Sequence, residues 1–259
     1  MSEIKATLLA NEGVILQYAG SKMMIDGIQD GGGSPFSGMS GELFRRLSAG
    51  EEPLFRDIDF VLYTHDHPDH FTASLNEEFF GQNTVDALVI PRDIASRRPS
   101  FADVAGRGAA RLFLLDSPKW ETTEIRLNGN ISLKAFLSAH AGKGEIFENT
   151  VHYCYLIRFG ERKVFIIGDS DYDADYFENM LDGEDIDAAF VNPLFLTFPA
   201  GREVIERALK PKRVIAYHIP FEKDDSRGYR SRLALDLERR GKEMPPVDAL
   251  WDELQEITI

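Results

Sequence analysis

The run Thr64-His65-Asp66-His67-Pro68-Asp69-His70 gathers three imidazoles and two carboxylates in a chain of 259 residues that has only six histidines. Read as H-x-H-x-D-H, it supplies neutral nitrogen and charged oxygen donors at a density suited to zinc or another borderline first-row metal. In a compact turn after a strand, His65 and His67 point toward one ion. Asp69 and His70, one step further round, point toward a second. Two divalent ions about 3.5–4 Å apart lower the pKa of a shared water, so that hydroxide is available at neutral pH to attack a carbonyl or phosphoryl centre. Asp69 or Asp66 can orient or deprotonate that water. For Asp66 the alternative is to fix the tautomer of a neighbouring imidazole.

Such a turn has to be held rigidly, and the flanking pattern provides for this. Asp59 to Tyr63 reads as a short buried strand that delivers the turn to the carboxyl end of a sheet. Three further strands run into donors. Ile131 to Leu137 alternates apolar and polar residues and continues through Ser138-Ala139 to His140. Val164 to Ile167 is a continuous apolar run, as in a fully buried strand, and ends at Gly168-Asp169-Ser170; Arg213 to Tyr217 ends at His218. Upstream, Ile4 to Leu9, Val14 to Tyr18 and Met23 to Asp26 read as successive strands, with Asn11-Glu12-Gly13 and Gly20-Ser21-Lys22 as turns. His152 matches no ligand position and is read as a strand residue. The single cysteine, Cys154, lies in the same strand as a small buried hydrophobe.

Strand-HxHxDH, then strand-His, strand-Gly-Asp and strand-His, in that order and over essentially the whole chain, resembles the metallo-β-lactamase superfamily. The resemblance implies an α/β fold, a four-layer αββα sandwich with two packed half-sheets and helices outside. Residues 1–259 would form one such domain, its halves meeting near Ser117 to Glu124. It implies that His65, His67 and His140 bind a first metal, that Asp69, His70 and His218 bind a second, and that Asp169 bridges them. Two divalent ions follow, zinc by affinity order, with manganese or iron as alternatives. The stretch from Asn192-Pro193-Leu194 to Lys210 through His218 is similar to the branch containing ascorbate-6-phosphate lactonase and many metal-dependent hydrolases. The implied function is hydrolysis of a lactone, ester, amide or small phosphoester. The alternative is a metal-binding but noncatalytic binding or assembly protein of the same fold. Flavodiiron oxidoreductases carry a carboxylate where His67 stands, which speaks against redox chemistry. Ribonuclease members add a long basic arm and glyoxalase-type thioesterases a helical C-terminal domain, neither of which is evident here.

A net charge of −14 argues against a nucleic-acid partner, whose binding draws mainly on basic surface. No apolar run approaches the roughly 20 residues that span a bilayer. No basic segment followed by an apolar core opens the chain, so a cytoplasmic location is the default. The expected partner is a small-molecule substrate, and the sequence does not fix an oligomeric state. Gly31-Gly32-Gly33-Ser34-Pro35-Phe36-Ser37-Gly38 is too glycine-rich for regular structure and has the character of a lid. Phe36 is expected to close over substrate. Within the basic run Lys223 to Lys242, Lys223 and Arg227 follow His218 most closely and are expected to pair with an anionic group. Arg230 to Arg240 reads as a helix with a solvated charged face.

Overall fold

A computed structural model describes residues 3–33, 36–240 and 244–259. Ser34 and Pro35 of the glycine-rich stretch, and Lys242 of the basic run, lie outside the described residues. The chain divides into two compact units, one comprising residues up to Asp116 together with Asp252–Ile259, the other Ser117–Trp251.

The first unit begins with β1 (Lys5–Leu8), β2 (Val14–Tyr18), β3 (Ser21–Ile25), β4 (Phe60–Leu62), β5 (Ala87–Pro91) and β6 (Leu112–Leu115). The second contains β7 (Thr122–Arg126), β8 (Ile131–Ser138), β9 (His152–Phe159), β10 (Arg162–Ile166), β11 (Ala188–Val191), β12 (Val214–Ala216) and β13 (Val247–Ala249). A last strand, β14 (Glu256–Thr258), returns to the first unit's sheet. Each unit thus holds a seven-stranded sheet, ordered β14-β1-β2-β3-β4-β5-β6 in one and β13-β12-β11-β10-β9-β8-β7 in the other.

Strand direction decides where the donors emerge. β1, β2 and β3 alternate in direction, and β4 to β6 run parallel to β3. The carboxyl ends of β1, β3 and β4 therefore share one edge. In the second sheet β7 to β10 alternate, and β11 to β13 run parallel to β10. The carboxyl ends of β8, β10, β11 and β12 likewise share one edge.

The interior strands β4, β5 and β11 are buried at every position, as parallel strands covered on both faces must be. In the first unit the helices Gly41–Ser48, Ala73–Gln82 and Pro99–Gly108 bury Leu43, Leu47, Phe79 and Phe101 in one cluster with Val61 and Leu88. In the second, the helix Ala174–Leu181 and the π-helix Val204–Leu209 bury Phe177, Leu181 and Ile205 with Phe165 and Val191. Each fully buried large apolar side chain contributes about 1.5–3 kcal/mol. Cys154 belongs to that second cluster. Its thiol donates to the Ile167 carbonyl at 3.3 Å, and burial pushes its pKa up, so it packs as an inert small side chain. The expected C-terminal helix forms over Tyr229–Arg240, with Leu233 buried and Leu235 half exposed. Among the described residues no helix is long and apolar enough to cross a membrane.

One buried amide ties the strand that carries the histidine run to the helix behind it. Asn76 donates to the Ile28 carbonyl at 3.0 Å and the Thr72 carbonyl at 2.9 Å, and accepts from the Tyr63 hydroxyl. Burial raises the Tyr63 pKa well above its ordinary value, keeping the phenol protonated as a donor. Replacing Asn76 with Ala removes the acceptor of the Tyr63 hydroxyl and one of two donors to the Ile28 carbonyl, which still accepts from Thr72 N at 3.2 Å. At about 1–3 kcal/mol for a buried group that loses its partner, the expected destabilisation is about 1–3 kcal/mol in urea unfolding. Tyr63→Phe in the same background should recover part of it, and an unchanged midpoint in Asn76→Ala would refute the role.

Candidate metal centre

β4 continues through Tyr63 and Thr64 into His65, and the chain then closes a single helical turn. The His67 carbonyl accepts from His70 N at 3.0 Å and from Phe71 N at 2.8 Å. Phe71 anchors the turn, edge-on to Tyr63 and Phe101 with centroids 5.0 and 4.9 Å away. This folds the three imidazoles together: the His65 ring centroid lies 4.6 Å from that of His67 and 3.9 Å from that of His70.

The group that orients them comes from the neighbouring strand. Asp26 directly follows β3 and is fully buried, with a left-handed φ of 48°. Its Oδ1 accepts from Thr64 N at 2.8 Å and its Oδ2 from Thr64 Oγ at 2.7 Å; His70 Nδ1 lies 3.1 Å from Oδ2. A carboxylate can only accept, so His70 carries its proton on Nδ1. The Thr64 hydroxyl has given its proton to Asp26, so it accepts from His65 Nδ1–H at 2.9 Å. In His65 this leaves Nε2 with its lone pair, the posture of a metal ligand whose other nitrogen is held from behind.

A second buried carboxylate stands on the far side of His70. Glu12 lies in the β1–β2 turn, fully buried, with Oε2 2.8 Å from His70 Nε2. A Cβ on Gly13 would come 2.8 Å from Gly27 Cα, so glycine lets this turn pack onto the backbone beside Asp26. Asn11-Glu12-Gly13 reads as a turn in the sequence, and its part at this edge was missed. The available signal is topological: β1 runs parallel to β3 and β4, so its turn emerges where Asp26 and Thr64 do. Asp69 is half-buried on the helical turn. Asp66 does not hold an imidazole. Its carboxylate, 5% exposed, meets Arg98 at 3.4 Å, and the orienting role belongs to Asp26.

The glycine-rich stretch lies against the histidine turn. Gly32 has a φ of 49°, and a Cβ there would fall 2.4 Å from Pro68 Cβ. Backbone bonds pin the stretch at both ends: Asp30 N donates to Thr72 Oγ at 3.1 Å, Asn11 N to the Ser37 carbonyl at 3.0 Å, and Met39 N to the Gln29 carbonyl at 2.8 Å. Phe36 is half-buried within it.

In the second unit β8, β10 and β12 deliver His140, Asp169 and His218 to one edge. Asp169 Oδ2 lies 3.7 Å from His140 Nε2 and 3.4 Å from His218 Nε2. Those spacings exceed a hydrogen bond and match the roughly 3.4 Å edge of a tetrahedron with bonds of about 2.0–2.1 Å, so the donor set fits an ion. His140 Nδ1 donates to the Ala141 carbonyl at 2.5 Å, again reserving Nε2. Asn192, at the exit of β11, donates to Asp169 Oδ1 at 3.1 Å. His218 takes a φ of 56°, a backbone cost tolerated where a side chain must be aimed. His152 is more than a strand residue: its Nε2 accepts from Asp169 N at 3.0 Å and fixes the backbone beneath that carboxylate. Lys223 and Arg227 are exposed on the segment after His218. Arg230 turns inward, donating to the Trp251 carbonyl at 2.6 Å and lying over its ring, and serves the fold. Among the described residues, His65, His67, His70 and Glu12 of the first unit and His140, Asp169 and His218 of the second are donors able to hold metal.

Residues 34–219 match the family described as beta-lactamase superfamily domain. No curated protein sequence matches the chain. Among solved structures, CmlA, a diiron β-hydroxylase from Streptomyces venezuelae, is similar at a TM-score of 0.64 and 17% identity over 100% of this chain and 54% of its own. This chain thus spans about half the length of CmlA. YhfI from Bacillus subtilis, a metallo-beta-lactamase fold protein, is similar at a TM-score of 0.64 and 13% identity over 100% of both chains. Igni18, a metallo hydrolase from Ignicoccus hospitalis, is similar at a TM-score of 0.60 and 13% identity over 99% of this chain and 98% of its own. At these identities the likeness is one of fold.

The orienting bonds yield a direct expectation. Asp26→Asn keeps the size of the side chain and removes its charge, and should weaken metal binding by about 10–100-fold, measured by chelator competition. His152→Ala, which removes the acceptor under Asp169, should weaken it in the same direction. Affinity unchanged in both variants would show that neither residue positions a ligand.

Proposed function

The chain belongs to the metallo-β-lactamase superfamily, and on that premise we propose that it is a metal-dependent hydrolase of a small anionic lactone, ester, amide or phosphoester. The observation that carries this reading is the Asp26–Thr64 network, which commits the Nδ1 atoms of His65 and His70 and leaves Nε2 for coordination. An imidazole held this way presents Nε2 as a donor to an ion.

Under the proposal His65, His67 and His140 hold one divalent ion, Asp69, His70 and His218 hold another, and Asp169 is shared. Ions bound there supply Lewis acidity toward a substrate oxygen and a nucleophile at neutral pH. The chain's own groups do the rest. Asp69 takes up the proton released in attack. Phe36, on the stretch packed against Pro68, shields the reacting group from water. Lys223 and Arg227 offer an anionic substituent its countercharge. Asp66, occupied by Arg98, is left out of proton transfer. Zinc is preferred by affinity order, and manganese or iron remain alternatives. The likeness of the segment Asn192 to His218 to the ascorbate-6-phosphate lactonase branch supports a small phosphorylated substrate. The case against redox chemistry drawn from His67 covers the flavodiiron type alone, since CmlA, a diiron β-hydroxylase, shares the fold. The competing reading, a noncatalytic binding protein, predicts metal without turnover.

The test is a metal-loaded screen across lactones, esters and phosphoesters, with an iron-loaded arm supplied with dioxygen and reductant. The reconstituted protein should hold close to two equivalents of zinc, manganese or iron by elemental analysis. His67→Ala and Asp169→Ala should lose both metal and hydrolysis. Absence of transition metal after reconstitution would sink the reading, and metal without turnover of any ester would favour the binding protein. Lys223→Ala should impair a phosphorylated substrate more than its neutral analogue; equal impairment would remove the anionic-substrate assignment.

A further inference from the structure

We propose that Glu12 is a ligand of the ion held by His70, an anionic donor that the H-x-H-x-D-H pattern does not contain. The proposal rests on the dinuclear reading above and adds to it a carboxylate from the β1–β2 turn.

Burial comes first. Glu12 has no solvent exposure, and a carboxylate taken out of water costs several kcal/mol unless a positive partner compensates it. Its near neighbour is His70, itself fully buried, with Nε2 2.8 Å from Glu12 Oε2. The other face of the ring decides what this contact means. With the Thr64 hydroxyl donating to Asp26, His70 Nδ1 faces two acceptors, Asp26 Oδ2 at 3.1 Å and Thr64 Oγ at 3.3 Å, and therefore donates. A neutral His70 then turns a lone pair toward the Glu12 oxygen, and two acceptors at that distance repel. Something has to be shared between them. Either a proton lies there, on His70 as an imidazolium or on Glu12 as a neutral acid, or a metal ion takes both atoms as neighbouring ligands.

The turn is built to hold Glu12 in place. Leu9 N donates to the Gly13 carbonyl at 2.7 Å, Asn11 N to the Ser37 carbonyl at 3.0 Å, and Gly13 packs on Gly27. A side chain delivered by so constrained a backbone has little rotamer freedom left to lose on binding an ion. One more carboxylate oxygen also makes the His70 position harder and richer in oxygen, which narrows zinc's advantage over manganese or iron.

The two alternatives differ in sign. If Glu12 is a ligand, Glu12→Gln weakens the second equivalent of metal; if it only shares a proton with His70, the same change frees His70 and metal binds as well or better. The experiment titrates the metal-stripped protein with Mn2+, followed by electron paramagnetic resonance, and with Zn2+ by chelator competition. Thermal unfolding of each variant is the folding control. The expected result is two equivalents in the wild type, and in Glu12→Gln a second equivalent weakened at least about 10–100-fold, more for Mn2+ than for Zn2+, with the first unaffected. Glu12→Asp, which keeps the charge but retracts it, should weaken the second equivalent less, and it carries the test if the Gln variant does not fold. Two equivalents at unchanged or tighter affinity in these variants would overturn the role of Glu12 and leave the dinuclear reading standing. A wild type that takes up no metal would overturn both.

Discussion

The carboxylate of Asp26 is the constraint on which the first unit's edge depends. It is fully buried, and it sits on a residue whose left-handed backbone costs roughly 1–2 kcal/mol. Against this stand three hydrogen bonds to a charged acceptor, from Thr64 N, Thr64 Oγ and His70 Nδ1, each worth about 1.5–3 kcal/mol. The bonds outweigh the strain. They hold the residue in that conformation. The same three bonds fix two imidazole tautomers, so a single residue sets local backbone, strand-end alignment and ligand chemistry.

The second unit reaches a similar end by other means. Its central carboxylate, Asp169, is held at the side chain by Asn192 and at the backbone by His152. Here it is the imidazoles that are aimed by main-chain devices, His140 through the Ala141 carbonyl and His218 through its own left-handed φ. In both units the donors sit directly after parallel or same-sense strands. Strands fix position to a fraction of an ångström, whereas loops do not, and metal ligands tolerate little error.

That distribution accounts for what could be read from the sequence. Strands buried on both faces appear as unbroken apolar runs, so the delivery of His65, Asp169 and His218 to strand ends was legible, and so was the order of donors that marks the superfamily. What was not legible depends on pairing across long stretches of chain. Thr64 meets Asp26 from 38 positions away and His70 meets it from 44, contacts set by the parallel pairing of β3 with β4. Asn11-Glu12-Gly13 has the composition of a solvated turn. It is buried nonetheless, because the sheet order places it at the same edge as the histidines. His152 looked like any strand residue because its partner is a backbone amide, which leaves no mark in the side-chain pattern. Asp66 could be placed beside the imidazoles by spacing, but Arg98, which draws it away, belongs to a helix boundary 32 residues later.

Burial also separates what is fixed from what can vary. His65, His70, Glu12 and Asp26 are fully buried, and each is bonded to groups that are themselves buried, so a change at one misplaces the others. Phe36, Lys223 and Arg227 are half-buried or exposed on irregular segments, where substitution costs the fold little. The candidate donors are therefore tied to folding in this chain, while Phe36, Lys223 and Arg227 are not.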